Sequence, residues 1–570
     1  MTRLLRFSLL TILLSTFISA AAFTVDGINY KVISNVNKTV EVTSGNYSGD
    51  IVIPEKVNDS GIEYTVTKIG NSAFYYCYTI KSISLPNTIT EIGESAFEYC
   101  VYLTSLTLPE TLTTIGNGAF GYCNSITSLK IPKNVTSIAT YITYGAKSLQ
   151  EIVVADENPN YSSLDGGLYS KDKTKLYAYP NMRYPNVVLP EGVTTIMDGA
   201  FWDCADIKTI SVPESVNILN PFCFYGCGSL TSINLPSSIT TIPQGAFYYC
   251  TSLTSVVVPE SVTSIGQTAF ANCDSLLSVK LGNAVKTIGM SAFMNSGKLN
   301  DITLPASLKS LGMSSLRGTA IKSITIPKGC TSIGDYAFMG CNSLKEILVE
   351  SGNVKYSSVD GMLCNRQGWE IISWPGGKAT EYTIPQGITN IKQDAFSYCE
   401  HLEKIELIND VTTIGSYAFS DNANLKTVIL GEKVTSIKEG VFSYCSSLNE
   451  IYCKNAVPVT ITSDVFKKVP TTCTIYVPIG AKSTYQSTDI WKNFRIEEIS
   501  SSVEDEFIQS IDVRGVDGGI LISGADNMDK FIYSINGELV YKGMDTYIKI
   551  FTKGVYIVKV GSKIVKVILK

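Results

Sequence analysis

The chain repeats itself every 23 residues, and that period limits what it can fold into more than any other feature. Phe74, Phe97 and Phe120 stand 23 apart, as do Phe201, Phe224, Phe247, Phe270 and Phe293. Leu316 takes the next slot, Phe338 follows after 22 residues, and Phe396, Phe419 and Phe442 resume the step, with Phe466 one residue late. Thr143 is a degenerate member, marked by the Ser148-Leu149 that follows it. About fifteen coils result, each too short to bury an apolar face alone, so each must stack on its neighbours.

One coil, Leu103 to Cys123, shows how. Leu106 and Leu108 flank Thr107, the alternation of a strand with one buried face. Pro109 lacks an N–H and ends the ladder. Thr113-x-Ile115-Gly116 reads as a second short extended piece, with Gly116 expected to permit a bend. Ala119-Phe120-x-x-Cys123 spaces its apolar residues as a short helical turn would. The fold class predicted is therefore an α/β solenoid of 23-residue coils, mostly parallel β with short helical turns. At about 4.8 Å per step its coils rise roughly 70 Å. Chirality makes it right-handed.

The phrase L-x-x-[IL]-x-[LIV]-P-x-x-[VIL]-T-x-I-G-x-x-A-F-x-x-C, repeated in register over residues 62 to 478, resembles the BspA-type leucine-rich repeat of bacterial surface proteins. Departures fall at Thr143, at Leu316, at Asn422 in place of Cys, and at Lys392 and Lys438 in place of Gly; they are expected to weaken single coils. The resemblance implies adhesion, with extracellular-matrix or plasma proteins as partners.

The ends differ from the middle. Arg3 and Arg6, an apolar run from Phe7 to Ile18 and small residues at Ala20-Ala21-Ala22 mark residues 1–22 as a signal peptide, cleaved near Ala22 for export. No later segment reaches the length of a transmembrane helix. Residues 23–66 read as an N-terminal β cap, with a turn at Asp26-Gly27. The solenoid takes 67–499, closed by a capping helix between Ala481 and Asn493. A polar linker at 500–506 leads to 507–570, where alternating residues predict a small antiparallel β-sandwich. Phe531 to Gly537, Gly554 to Val560 and the final Lys563 to Lys570 resemble the C-terminal sorting domain of type IX secretion, which implies passage to the outer-membrane surface.

Two inserts, near 155–189 and 350–384, match each other at an offset of 195. Each carries an Asp-Gly hairpin signal, Asp165-Gly166 and Asp360-Gly361. Their Tyr177, Tyr179, Trp369 and Trp374 either pack the hairpin on its coil or project toward a glycan.

Chemistry is sparse. Lys and Arg number 46 against 51 Asp and Glu, net −5 without long runs, which argues against nucleic acid. His401 is the one histidine, so no HExxH zinc site can exist. No carboxylate pair, phosphate loop or metal-ligand spacing recurs, so no enzyme, cofactor or metal is expected. Ten of fifteen cysteines sit three residues after the Phe slot, Cys77 to Cys445, in parallel array rather than with converging Cβ vectors. That favours buried free thiols. Cys453 and Cys473 are the pair best placed for a disulfide.

Two rows could bind. The outward strand residue runs from Ser84 and Thr107 to Leu348, Ile429, Tyr452 and Tyr476, polar first and apolar last. Beside the cysteines runs a stripe of Tyr76, Tyr99, Tyr122, Tyr249, Tyr398 and Tyr444. The expectation is a monomeric adhesin whose partner-binding residues are Leu348, Ile429, Tyr452 and Tyr476, with a cell-surface glycan as the alternative to a protein partner.

Overall fold

The computed structural model describes residues 22–499, 512–516, 519–523, 529–550, 552–560 and 563–569. The expected signal peptide (apart from Ala22) and the expected linker at 500–506 lie outside the described residues. The chain divides into two compact units, Met1–Leu316 with Ile333–Asp335, and Arg317–Ser332 with Tyr336–Lys570.

Both units use the same coil. Its strands pair in parallel at an offset of one repeat: Ser128–Ile131 meets Glu151–Val154 as Ser128↔Glu151 through Ile131↔Val154. A second, two-residue ladder joins Glu91–Ile92, Thr114–Ile115 and Ser137–Ile138. Gly116 lies between this ladder and the turn, and its role differs from the bend expected. Its φ is not positive. A Cβ there would stand 2.5 Å from the backbone of Gly93 and Glu94, so glycine permits close stacking instead. Lys392 and Lys438 fill the same slot and still donate to the coil before, to Ile371 and Ile414.

The expected helical turns are absent. Among the described residues the helical segments are Lys482–Ser487 and the 3-10 turn Trp491–Asn493. The reason lies in the hydrogen bonds around Phe120. Gly121 and Cys123 donate within the turn, to Gly118 and Phe120. The intervening amides donate to the next coil, Phe120 to Ile142 and Tyr122 to Tyr144. Alternation of this kind places positive φ two residues before and two after the Phe slot, as at Ser95 (51°) and Tyr99 (62°). No α-helix passes through such residues.

The core is a column. Phe247 and Phe270 stack with centroids 5.1 Å apart and planes 6° apart, and Phe270 and Phe293 follow at 5.4 Å and 3°. Six of the ten ladder thiols, Cys100, Cys123, Cys227, Cys250, Cys273 and Cys445, donate to the Phe carbonyl of the coil before, as Cys123 does to Phe97, Cys250 to Phe224 and Cys273 to Phe247, these three at 3.1 Å. At two of the positions where Cys is replaced, the bond survives. Ser296 Oγ donates to Phe270 O at 2.7 Å and Asn422 Nδ2 to Phe396 O at 2.8 Å. Asn422, expected to weaken its coil, keeps the ladder bond with a stronger donor in the same place. All fifteen cysteines are buried and none is in a disulfide. Cys453 and Cys473 are among them, and strand register pairs Tyr452 with Tyr476, leaving the two thiols four positions out of step.

The inserts complete the column at its breaks. Asp165-Gly166 and Asp360-Gly361 have positive φ at both residues, forming the two expected tight hairpins. Tyr179 stacks on Phe201 at 5.2 Å and Trp374 on Phe396 at 4.9 Å, each standing where a coil's Phe would. At each hairpin base a buried asparagine makes four bonds. Asn158 donates to Pro132 and Val135 and accepts from Asn160 and Tyr161. Asn353 does the same with Pro327, Cys330, Lys355 and Tyr356.

In the first unit Ala22–Val25, Ile28–Ser34 and Thr39–Val42 form antiparallel pairs that join the parallel ladder at Ile62–Ile69. In the second, Tyr485 and Trp491 are buried; Trp491 Nε1 donates to Val459 O at 2.8 Å. Beyond them Asp512–Val516, Gly519–Ser523 and Tyr547–Lys549 form one antiparallel sheet. Lys530–Ser534, Leu539–Gly543, Gly554–Val560 and Lys563–Leu569 form another. Ile520, Ile532, Ile548 and Val558 share one apolar cluster.

Candidate interaction surface

The outward strand row is exposed along most of its length, from Ser84 and Thr107 to Leu348, which is 40% exposed. Its apolar end is a different matter. Ile429 is only 2% exposed and Glu406 beside it is buried, while Tyr452 and Tyr476 are half-buried and stacked at 4.6 Å. The structure brings Ile429, Tyr452 and Tyr476 onto adjacent strands. Leu348 lies apart, on a strand paired with Ser323–Ile326. The expectation of an exposed anchor row therefore fails at Ile429. Leu521, Ile522 and Ser523 line a cavity of about 400 Å³ together with Thr383, Glu406 and Ile408 of that face. Lys404 also pairs with Glu406 at 2.9 Å. Sequence periodicity reports only that a residue points away from its own coil, not that it is exposed.

The insert rings do not form a sugar platform. Trp374 and Tyr179 are buried in the Phe column, and Tyr177 packs edge-on against Tyr161. Trp369 alone of the four is exposed.

The tyrosine stripe is more than the sequence indicated. All six tyrosines sit at the positive-φ position two residues after the Phe slot, with φ between 51° and 63°. Elsewhere that position holds Gly145, Asp203, Gly226, Asn272, Asn295, Gly318, Gly340, Asp421 and Lys468, also at positive φ. Glycine and asparagine suit the left-handed region; tyrosine there costs about 1–2 kcal/mol. The alternation of Gly and Asn with Tyr at one repeat position was the available signal for this geometry.

In the first unit the stripe is continuous. Tyr76 stacks on Tyr99 at 4.4 Å and 5°, and Tyr99 on Tyr122 at 4.5 Å and 8°. Tyr144 meets Tyr122 edge-on at 5.0 Å, Trp202 meets Tyr144 at 5.5 Å, and Tyr225 stacks on Trp202 at 4.0 Å. Tyr248 and Tyr249 continue from Tyr225. Tyr75, Tyr76, Tyr102 and Tyr249 are exposed. Acidic groups accompany the rings: Tyr144 donates to Glu98, and burial followed by Asp203 pushes the Tyr225 hydroxyl up to about 12. Burial also raises the Asp203 carboxyl above its ordinary range, Lys147 opposing.

The second unit's tyrosines are arranged otherwise. The Arg317 guanidinium lies 5.4 Å from the centre of Tyr398, and the Lys467 ammonium 5.5 Å from that of Tyr444.

Among the described residues no group of three or more His, Cys, Asp or Glu could hold a metal ion, and no helix is long and apolar enough to cross a membrane. His401 is exposed.

Comparison with curated proteins found no match. Among solved structures, a leucine rich cell surface protein of Faecalibacterium prausnitzii is similar at 22% identity, over 86% of this chain and 97% of that one, with a TM-score of 0.36. A leucine-rich repeat protein of Bacteroides ovatus is similar at 23% identity, over 84% and 100%, with a TM-score of 0.37. The pneumococcal vaccine antigen PcpA is similar at 16% identity, over 84% and 99%, with a TM-score of 0.36. The family model of the BspA type leucine rich repeat region matches residues 55–164, 172–298, 263–360 and 375–493, in 6 copies. With most of its length matched, the chain belongs to the BspA-type leucine-rich repeat family.

Proposed function

We propose that the chain is a non-catalytic adhesin, secreted or held at the outer-membrane surface, that binds a host or neighbouring-cell protein through the turn side of its first unit. The observation that carries this reading is the continuous aromatic stripe from Tyr76 to Tyr249, exposed at Tyr75, Tyr76, Tyr102 and Tyr249. Tyrosine offers large contact area at low conformational cost together with a hydroxyl, which is why it dominates many protein-binding surfaces. Its placement at positions whose backbone favours Gly or Asn points the same way, since residues held in sparsely populated conformations gather at functional sites. Membership of a repeat family resembling bacterial surface proteins agrees, and an N-terminal export signal at 1–22 fits it. Residues 507–570 we read as a β-sandwich that serves sorting rather than binding.

A panel of matrix and plasma proteins, with a glycan array beside it, tests the reading. The whole protein should bind at least one protein of the panel, and replacing Tyr76, Tyr99, Tyr122 and Tyr249 together by Asn should abolish that binding. Retained binding in the folded variant would remove the stripe from consideration. Deleting 507–570 should leave ligand binding intact and block surface delivery; normal delivery would count against the sorting reading.

A further inference from the structure

Resting on the reading that the first unit's stripe is a binding surface, we infer that what it takes is an arginine-rich segment of a partner protein. The chain itself provides the precedent. In the second unit two stripe tyrosines already have a cation over the ring, Arg317 on Tyr398 and Lys467 on Tyr444. In the first unit the equivalent tyrosines, Tyr76, Tyr99, Tyr122 and Tyr249, have no Lys or Arg over their rings among the described residues.

Charge agrees with this. From Asn71 to Ser275 the stretches around the Phe slot, three residues before to five after, carry Glu94, Glu98, Asp198, Asp203, Asp206 and Asp274 against a single basic residue, Lys147. The same stretches of the second unit are as acidic, with Asp394, Glu400, Asp421, Glu439 and Asp464, but they add Lys467 and Lys468 and place Lys467 over Tyr444 and Arg317 over Tyr398, so there the cation comes from the chain itself. Aromatic rings flanked by carboxylates attract cations, through the ring quadrupole and by direct charge. The stacked rings of Tyr76, Tyr99 and Tyr122 turn their faces to one another, so their outward groups are edges and phenol oxygens. Phenol oxygens accept hydrogen bonds, and guanidinium supplies five donors in a plane that also lies flat on exposed rings such as Tyr249. An ammonium, with three donors on a compact charge, can sit over a ring as Lys467 does but cannot lie flat on it or fan its donors in one plane, which favours arginine over lysine.

The test uses the whole protein and fluorescein-labelled octa-arginine, with octa-lysine and octa-glutamate as comparators, at physiological salt. Octa-arginine should bind more tightly than octa-lysine by about fivefold or more, and octa-glutamate should not bind. Replacing Tyr76, Tyr99, Tyr122 and Tyr249 by Asn changes no charge and installs a residue the repeat already uses there at Asn272 and Asn295. It should weaken octa-arginine binding about tenfold or more. Glu94→Gln with Asp206→Asn leaves every stripe ring in place and should weaken binding about threefold or more. The matched pair Glu260→Gln with Asp301→Asn, on the same unit away from the stripe, should leave it within about twofold. Equal loss from both acidic pairs would reveal mere attraction to an acidic protein and overturn the inference, as would unchanged binding in the folded tyrosine variant. If the tyrosine variant loses a matrix-protein ligand while the parent ignores octa-arginine, the surface stands and the arginine assignment falls. If the parent binds octa-arginine through the stripe yet the variant keeps its matrix ligand, the proposed function falls instead.

Discussion

Two ladders run side by side through every coil, and they obey different rules. The Phe ladder is buried, stacked and nearly unbroken, and where the chain must insert a hairpin a ring from that hairpin fills the gap, Tyr179 or Trp374. The position two residues later is free to be Tyr, Asn, Asp, Gly or Lys, provided that it accepts positive φ. The first ladder is what the fold requires of each coil. The second carries variation the fold does not require, and variation of that kind is where a solenoid keeps its recognition chemistry. The cysteines stand with the first: Cys123, Ser296 and Asn422 each donate to the Phe carbonyl of the coil before.

The largest break in this contrast comes from alkali, because it acts on every thiol of the buried ladder together. Burial pushes Cys123, Cys273 and Cys445 from an ordinary 9.0 up to about 12. Unfolded thiols lose their protons near pH 9 while folded ones keep them, so unfolding releases protons and higher pH favours it. The stabilising contribution is intact below about pH 9 and is lost as pH rises toward 12, at about 1.4 kcal/mol per thiol per pH unit. Urea midpoints should fall steeply between pH 8.5 and 10.5, and native thiols should label slowly while at least ten label at once in denaturant. A flat stability profile, or thiols already oxidised in the native protein, would remove the ladder from the core.

Phe247→Ala comes next. It removes a ring stacked at 5.2 Å on one side and 5.1 Å on the other, and should cost about 3–5 kcal/mol in chemical unfolding. A loss below 1 kcal/mol would mean that single coils, not the column, hold the fold.

Asn422→Ala leaves the Phe396 carbonyl and the Cys399 amide unpaired in the core, at a cost of about 2–4 kcal/mol. Asn422→Cys restores the donor used elsewhere in the ladder and should recover much of that loss. If alanine and cysteine behave alike, thiol bonding contributes nothing.

How much of this was legible beforehand follows from what a repeat can and cannot encode. Period, strand positions, the buried Phe and Cys slots and the twin hairpins were legible, because stacking translates each residue onto its equivalent. The turn conformation was misread as helix: Ala-Phe-x-x-Cys has helical spacing, and only the Gly and Asn at the neighbouring slot reveal the left-handed residues that forbid it. Ile429 was misread for a different reason. Its periodicity correctly points it away from its own coil, but direction alone does not expose a side chain, and Ile429 is 2% exposed between Glu406 and Tyr452 of the adjoining strands.

The smallest effect gives the finest test of whether the second ladder is dispensable. Tyr99 contacts Tyr76 at 4.4 Å and Tyr122 at 4.5 Å. Each such pair contributes about 0.5–1.5 kcal/mol beyond its burial. Against this stands the left-handed backbone at Tyr99, φ 62°, which disfavours a bulky residue by about 1–2 kcal/mol and an asparagine by less. The two contributions oppose each other, so Tyr99→Asn should shift stability by no more than about 1 kcal/mol in either direction. The same change at Tyr249, which stacks on Tyr248 but has no stripe tyrosine in the adjoining coil, where Asn272 stands, should be neutral or stabilising. A loss of more than about 2 kcal/mol at Tyr99 would show that stacking outweighs backbone preference. The stripe would then be a second structural column, held for the fold's sake, and its exposure would need no partner to explain it.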